Sequence, residues 1–279
     1  MKKLIIFLAI FLFANENLVN FTEITKDYND TETKNNVKQI FSKKFGLYPY
    51  KTNYILPATW DLNKKSDREQ FETKFQISIM KPFARDLFGK NEIYFFAYTQ
   101  QSFWQTSAPS APFRENNYEP EIFVLFPIKN QNLDAVVFAL NHQSNGRDGN
   151  YSRSWNRIYT KFLFHYKETI FNLRLWYRIP EKDKTSPNDT NGDDNPDIEK
   201  YMGYGDLKIM YPYKDNLVTS LIRYNPFTNK GAIQIDYSKP IKKKDSVFLY
   251  FQYFYGYGES LIDYNHLVNR IGIGFSYSR

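Results

Sequence analysis

The chain has no cysteine, which excludes disulfides and thiolate metal sites. Histidine is almost as scarce, with three in 279 residues: His142, His165 and His266. Long apolar runs are missing too. After Phe13 no stretch approaches 18 consecutive apolar residues, so no transmembrane helix is expected. No helical period of useful length runs through the chain, and there is no fixed-period repeat. A formal charge of +7 at pH 7 would by itself suit nucleic acid, anionic lipid or neither.

Aromatic rings, by contrast, are abundant. Tyr and Phe number 23 and 25, and aromatic residues make up 19% of the chain, yet its mean hydropathy is negative. So many rings on a polar average are expected of a transmembrane β-barrel. There lipid-facing apolar residues alternate with polar lumen-facing ones, and aromatic girdles mark the two interfaces.

The first residues, MKKLIIFLAIFLFA, have a charged start (Lys2, Lys3) and an apolar run from Leu4 to Phe13. This predicts a signal peptide over residues 1–14. Residues 15–45 are polar, without a steady period, and read as an extension before the main domain. From about residue 46 to 279 short alternating runs are separated by turn-rich gaps. They include FQISIM (75–80), EIYFFAY (92–98), EIFVLF (121–126), AVVFALNH (135–142), IYTKFLFHY (158–166) and NRIGIGFSYS (269–278). With a strand over 50–60 the count is about twelve, an even number as bacterial barrels require. The fold expected is all-β, a transmembrane antiparallel barrel of the outer membrane. Long loops are expected around 105–118 and 181–198.

Candidate chemistry gathers in NHQSNGRDGNYSRSWNRIY (141–159). Residues of equal parity share one face of a strand. Val136, Phe138, Leu140, His142 and Ser144 therefore share the bulky apolar face, which is the lipid side. On the next strand Asn156, Ile158, Phe162 and Phe164 share a face opposite Arg157, Tyr159 and Lys161. His142, Ser144 and Asn156 should all project outward near the membrane interface. Residues two apart in a strand are roughly 6.5–7 Å apart at Cα, a gap an imidazole and a hydroxyl can bridge. His142 could then act as general base on Ser144, with Asn156 holding the ring. A neutral Asn gives the imidazolium no charge, so help with developing negative charge is worth more elsewhere. Calcium could give it, because the loop offers hard oxygens: the Arg147 carbonyl, the Ser152 hydroxyl, and carboxylates at Asp148 or within DDNPD (193–197).

The segment NHQSNGR…SRSWNRIY also resembles the outer-membrane phospholipase A family. So do LYPYKTNY (47–54), PFRENNYEPE (112–121), DDNPDIEKYMGY (193–204) and YGYGESLIDYN (255–265), in the family's order and across nearly the whole chain after residue 45. The resemblance implies that Ser144 is the nucleophile, His142 the base and Asn156 its orienting partner. It implies calcium held by the Arg147 carbonyl, the Ser152 hydroxyl and Asp194, with Ser110 giving a carbonyl from the second subunit of a homodimer. The acid of DGNY (148–151) stands one position earlier than in the family pattern, so Asp148 is not carried over. The resemblance further implies calcium-dependent hydrolysis of acyl esters at either position of phospholipids, and of lysophospholipids. It implies a switch by dimerisation, with Leu47, Ile77, Ile79 and Gln100 on the dimer face. No nucleic-acid partner is expected. The competing readings are a non-catalytic pore or structural barrel, which has no need of a polar triad on its lipid face, and an adhesin or receptor working through its long loops.

Overall fold

The structure, a computed structural model, describes residues 46–63, 69–128, 132–186, 189, 192–242 and 247–279. The expected signal peptide and polar extension lie outside the described residues. Twelve antiparallel strands form a closed meander: β2 (Tyr54–Asp61), β3 (Phe71–Arg85), β4 (Ile93–Trp104), β5 (Phe113–Pro127), β6 (Leu133–Ser144), β7 (Ser154–Tyr166), β8 (Thr169–Ile179), β9 (Gly205–Tyr213), β10 (Asn216–Asn225), β11 (Lys230–Pro240), β12 (Phe248–Gly256) and β13 (Val268–Ser276). Each strand pairs with the next in sequence, and β13 closes the barrel on β2, with Ile271 opposite Trp60 and Ser276 opposite Tyr54. Closure leaves no unpaired strand edge, which a chain in lipid cannot tolerate. A two-residue strand, β1 (Tyr48–Pro49), pairs with Ile79 and Met80 of β3.

The alternation has the expected sense. On β6, Phe138 and Leu140 are exposed while Ala135, Val137 and Ala139 are buried; on β7, Ile158 is exposed while Arg157, Tyr159 and Lys161 are buried. Lys161 and Arg157 are buried because this interior is polar. Arg157 donates to Asn141 Oδ1 and reaches Glu119 at 3.3 Å, and its guanidinium lies 3.9 Å from the Trp155 ring. A buried charge has to be paired or hydrogen-bonded in this way. Exposed aromatic residues such as Trp60, Tyr98, Tyr166, Tyr177, Tyr213 and Tyr224 stud the outer wall, where amphipathic rings suit the headgroup level.

One strand departs from expectation. β5 begins at Phe113, so residues 113–118 are strand and not loop. The reason is its inner face, where Glu115, Asn117, Glu119 and Glu121 are all buried. No apolar alternation marks a strand whose inward residues are acids. Arg114 sits at a register shift in the β4–β5 pairing and also turns inward, bonding Glu72 and Asp263; one extra residue in a ladder re-aims a side chain in this manner.

The barrel mouth on the long-loop side is occupied by inward-folded loops. The loop between β8 and β9 contains a one-turn helix, α1 (Ile198–Met202), which the sequence pattern did not predict. Ile198 and Met202 join Leu261 and Tyr264 of the β12–β13 loop in one cluster with Trp155, Tyr159 and Trp176. Burial pushes the Tyr264 phenol well up, and its hydrogen bond to Asp197 adds to the shift. Below this plug, a cavity of about 270 Å³ is lined by polar and charged side chains including Glu119, Arg174, Lys208 and Asp236.

Candidate active site

His142 and Ser144 end β6, and Asn156 lies three residues into β7. The β6–β7 register sets His142 directly opposite Asn156 and Ser144 opposite Ser154. That register is pinned from the lumen side. Trp155 Nε1 donates to Gln143 Oε1 at 2.9 Å, and Arg157 bonds Asn141. Every second residue of each strand is thus locked inside, and the residues between them are presented to lipid in fixed positions.

Outside, His142 Nδ1 lies 2.8 Å from Asn156 Oδ1. An amide oxygen can only accept, so Nδ1 carries the proton and Nε2 is left as the basic nitrogen. Asn156 Nδ2 in turn donates to Glu181 Oε1 at 2.6 Å. Ser144 Oγ makes no side-chain hydrogen bond among the described residues, so the expected imidazole–hydroxyl bond is not formed here. Ser144 and His142 do share the outer face two residues apart, and all three residues are half-buried.

The 145–153 loop is tied across its neck by Asn145, which sequence reasoning passed over. Its Oδ1 accepts from the Arg153 and Arg147 amides at 2.9 and 3.3 Å, and its Nδ2 donates to the Tyr151 carbonyl at 2.8 Å. Gly146 takes φ +65°, and a Cβ there would meet the Tyr118 ring at 3.1 Å, so the turn requires glycine on both counts.

The oxygens proposed for a cation come together only in part. Ser152 Oγ donates to Asp194 Oδ2 at 2.6 Å, and Ser154 Oγ reaches the same oxygen at 3.3 Å. The two neighbouring acids are sorted by their partners. Asp193 pairs with Arg178 at 2.6 Å, whereas Asp194 faces the serines. Lys184 Nζ sits 2.5 Å from Asp194 Oδ1, so this carboxylate already attracts a cation. Two serine oxygens and a carboxylate form a hard donor set that fits calcium. Arg147 is exposed on the same loop with its amide turned to Asn145. Asp148 is exposed at the start of a 3-10 turn, Gly149–Tyr151. Ser110 stands apart from this group, exposed at the tip of the β4–β5 loop with φ +62°. On the expected dimer face, Leu47 and Ile77 are exposed, and Ile77 pairs with Gln100 across β3–β4, while Ile79 is half-covered beside β1.

A closed barrel of twelve strands with serine, histidine and asparagine on its lipid-facing wall defines an outer-membrane protein with hydrolase-type groups turned toward the bilayer. The phospholipase A1 family model matches residues 30–277. Phospholipase A1 of Escherichia coli strain K12 is 40% identical over 254 residues, covering 86% of this chain and 84% of that protein. Among solved structures, the outer membrane phospholipase A of Escherichia coli superposes with a TM-score of 0.75 at 39% identity, covering 83% of this chain and 98% of that one. An outer membrane phospholipase dimer of Salmonella typhi with bound calcium gives 0.76 at 37% identity, covering 86% of this chain and 95% of that one. The chain belongs to the phospholipase A1 family; it is a phospholipase of the bacterial outer membrane.

Proposed function

We propose that this phospholipase hydrolyses the acyl esters of phospholipids and lysophospholipids with Ser144 as nucleophile, His142 as general base and Asn156 as its orienting partner. The supporting observation is the 2.8 Å contact of His142 Nδ1 with Asn156 Oδ1, on the outer wall beside Ser144. Ser144 Oγ attacks the ester carbonyl while His142 Nε2 takes its proton. The imidazolium then returns that proton to the leaving glycerol oxygen, and an acyl-serine remains. Water, deprotonated by the same Nε2, releases the fatty acid and restores Ser144. Outward placement lets an acyl chain stay in lipid throughout.

Calcium would be held by the Arg147 carbonyl, the Ser152 hydroxyl and Asp194, with the partner subunit's Ser110 adding a carbonyl in a homodimer. When bound, the cation would polarise the ester carbonyl as a Lewis acid. Lys184 must first leave Asp194. A site completed across two subunits is active only as a dimer, and Leu47, Ile77, Ile79 and Gln100 form the face that meets its copy. A passive pore is the less favoured reading, because α1 and the β12–β13 loop pack into the mouth against Trp155, Tyr159 and Trp176.

The test is phospholipid hydrolysis by refolded protein in detergent, with calcium and with chelator. Wild type should hydrolyse only with calcium, and Ser144→Ala and His142→Ala should be inactive while still running as folded, heat-resistant barrels. A Ser144→Ala protein retaining most of its activity would overturn the assignment.

A further inference from the structure

The side-chain amide of Asn156 has two ends of nearly the same shape and opposite chemistry, and the end that meets His142 decides whether the imidazole can be a base. With Oδ1 toward the ring, Nδ1 holds the proton and Nε2 keeps its lone pair. With the amide turned over, NH2 faces Nδ1, a neutral ring holds its proton on Nε2, and no lone pair is left for the serine. Catalysis by a Ser–His–Asn set therefore needs something to break the symmetry of the amide.

The strand register brings one such group into place. Asn156 pairs with Ile179 on β8. Glu181 lies two residues beyond Ile179, just past Pro180, which ends the ladder. Glu181 Oε1 accepts from Asn156 Nδ2 at 2.6 Å. Among the described residues Glu181 has no ion-pair partner; Lys184 is engaged with Asp194 and Arg178 with Asp193. Among the described residues the carboxylate is thus bonded to the amide alone.

We propose that Glu181 is a positioning residue that fixes the amide of Asn156 and, through it, the tautomer of His142. This rests on the triad reading above. An ionised carboxylate has no proton to donate, so it holds the NH2 end and leaves Oδ1 for the ring. It also supplies, one hydrogen bond removed, the negative charge that a neutral Asn lacks; linked hydrogen bonds polarise one another, and the arriving imidazolium proton is better held.

The experiment compares Glu181→Ala, Glu181→Gln, Ser144→Ala and wild type, refolded in detergent with calcium. It reads kcat, KM and the ring ¹⁵N shifts of His142, assigned by their loss in His142→Ala. Glu181→Ala should lower kcat about 10- to 100-fold, the usual effect of losing a group that orients an active residue, with KM within about twofold. Its His142 shifts should move from a single Nδ1–H tautomer to a mixture. Glu181→Gln carries no charge and can offer Asn156 either an oxygen or an NH2, so it should restore only part of the tautomer bias and fall between Glu181→Ala and wild type in kcat. A Glu181→Ala protein with wild-type kcat and shifts, alongside an inactive Ser144→Ala, overturns the role of Glu181 and leaves the triad intact. Loss of kcat with an unchanged tautomer also overturns it, as does a Glu181→Gln protein with the kcat and His142 shifts of wild type. Full activity in Ser144→Ala overturns the triad reading itself.

Discussion

Glu259→Ala should be among the most damaging single changes to the barrel while leaving its chemistry alone. Glu259 lies in the β12–β13 loop and bridges two buried cations: Lys74 Nζ donates to its Oε1 at 2.9 Å, and Arg270 Nε to its Oε2 at 2.9 Å. The Lys74 side chain is 0% exposed and that of Glu259 3%. Truncation leaves Arg270 with Glu72 at 3.1 Å, but leaves Lys74 without an anionic partner among the described residues, held by the neutral Gln252 at 2.6 Å and the Phe103 ring. Removing one partner of a buried ion pair costs about 3–5 kcal/mol, because the other charge stays behind uncompensated. The carboxyl's acidity gives a second measure. Burial alone would raise it, yet Arg270 and Lys74 hold it down to about 2. Against an unfolded value of about 4.3, that difference is worth about 3 kcal/mol, the same order as the truncation cost. Since the folded value is the depressed one, the contribution is complete above about pH 4.3 and is lost as pH falls through about 2. The assay is urea unfolding in phospholipid vesicles, read by the heat-shifted mobility of the folded barrel. At pH 7 the variant should lose about 3 kcal/mol, and the gap from wild type should close on acidification toward pH 2. Hydrolysis by protein that is still folded should be unchanged, since Glu259 faces the lumen and Ser144 the lipid. A loss under about 1 kcal/mol at pH 7 would refute the reasoning, showing that lumenal water, not Glu259, compensates Lys74.

Asn156→Ala should slow turnover less than His142→Ala, because an unheld imidazole still adopts the reactive tautomer part of the time; steady-state kinetics on the two variants will order them. Ser152→Ala should raise the calcium needed for half-maximal activity by about tenfold or more, since it removes one oxygen ligand, and a calcium titration measures this. Lys184→Met should act in the opposite sense. Freeing Asp194 from an ion pair worth about 1 kcal/mol should lower the calcium requirement roughly fivefold, read by calorimetry on the Ser144→Ala background so that turnover does not interfere. Calcium should also shift the protein toward dimer in analytical ultracentrifugation, because a site completed across the interface binds that state better, and a fully active monomer would exclude the shared site.

The alternation of the strands already decided which residues face lipid. A pleated strand has a period of two, and lipid and a polar lumen ask for opposite side chains, so Phe138, Leu140, His142 and Ser144 had to lie on one side and Val137 and Ala139 on the other. Local turn chemistry fixed the strand count, and the blocks around 141–159 and 193–204 gave the family. What needed the tertiary structure was every choice made across strands. Nothing in the sequence pattern marked 113–118 as strand, because its inward side chains are polar and find their partners far along the chain, as Glu115 does with Arg147 at 3.6 Å. Nor could spacing tell Asp193 from Asp194, since the difference lies in Arg178 on β8 claiming one of them. Glu181 reads as an ordinary loop acid until the β7–β8 register puts it two residues past the partner of Asn156. Which face a residue takes follows from its own strand, whereas register and the return of loops depend on neighbours far along the chain. The serine and histidine could therefore be found from the sequence, and the carboxylate that holds their asparagine could not.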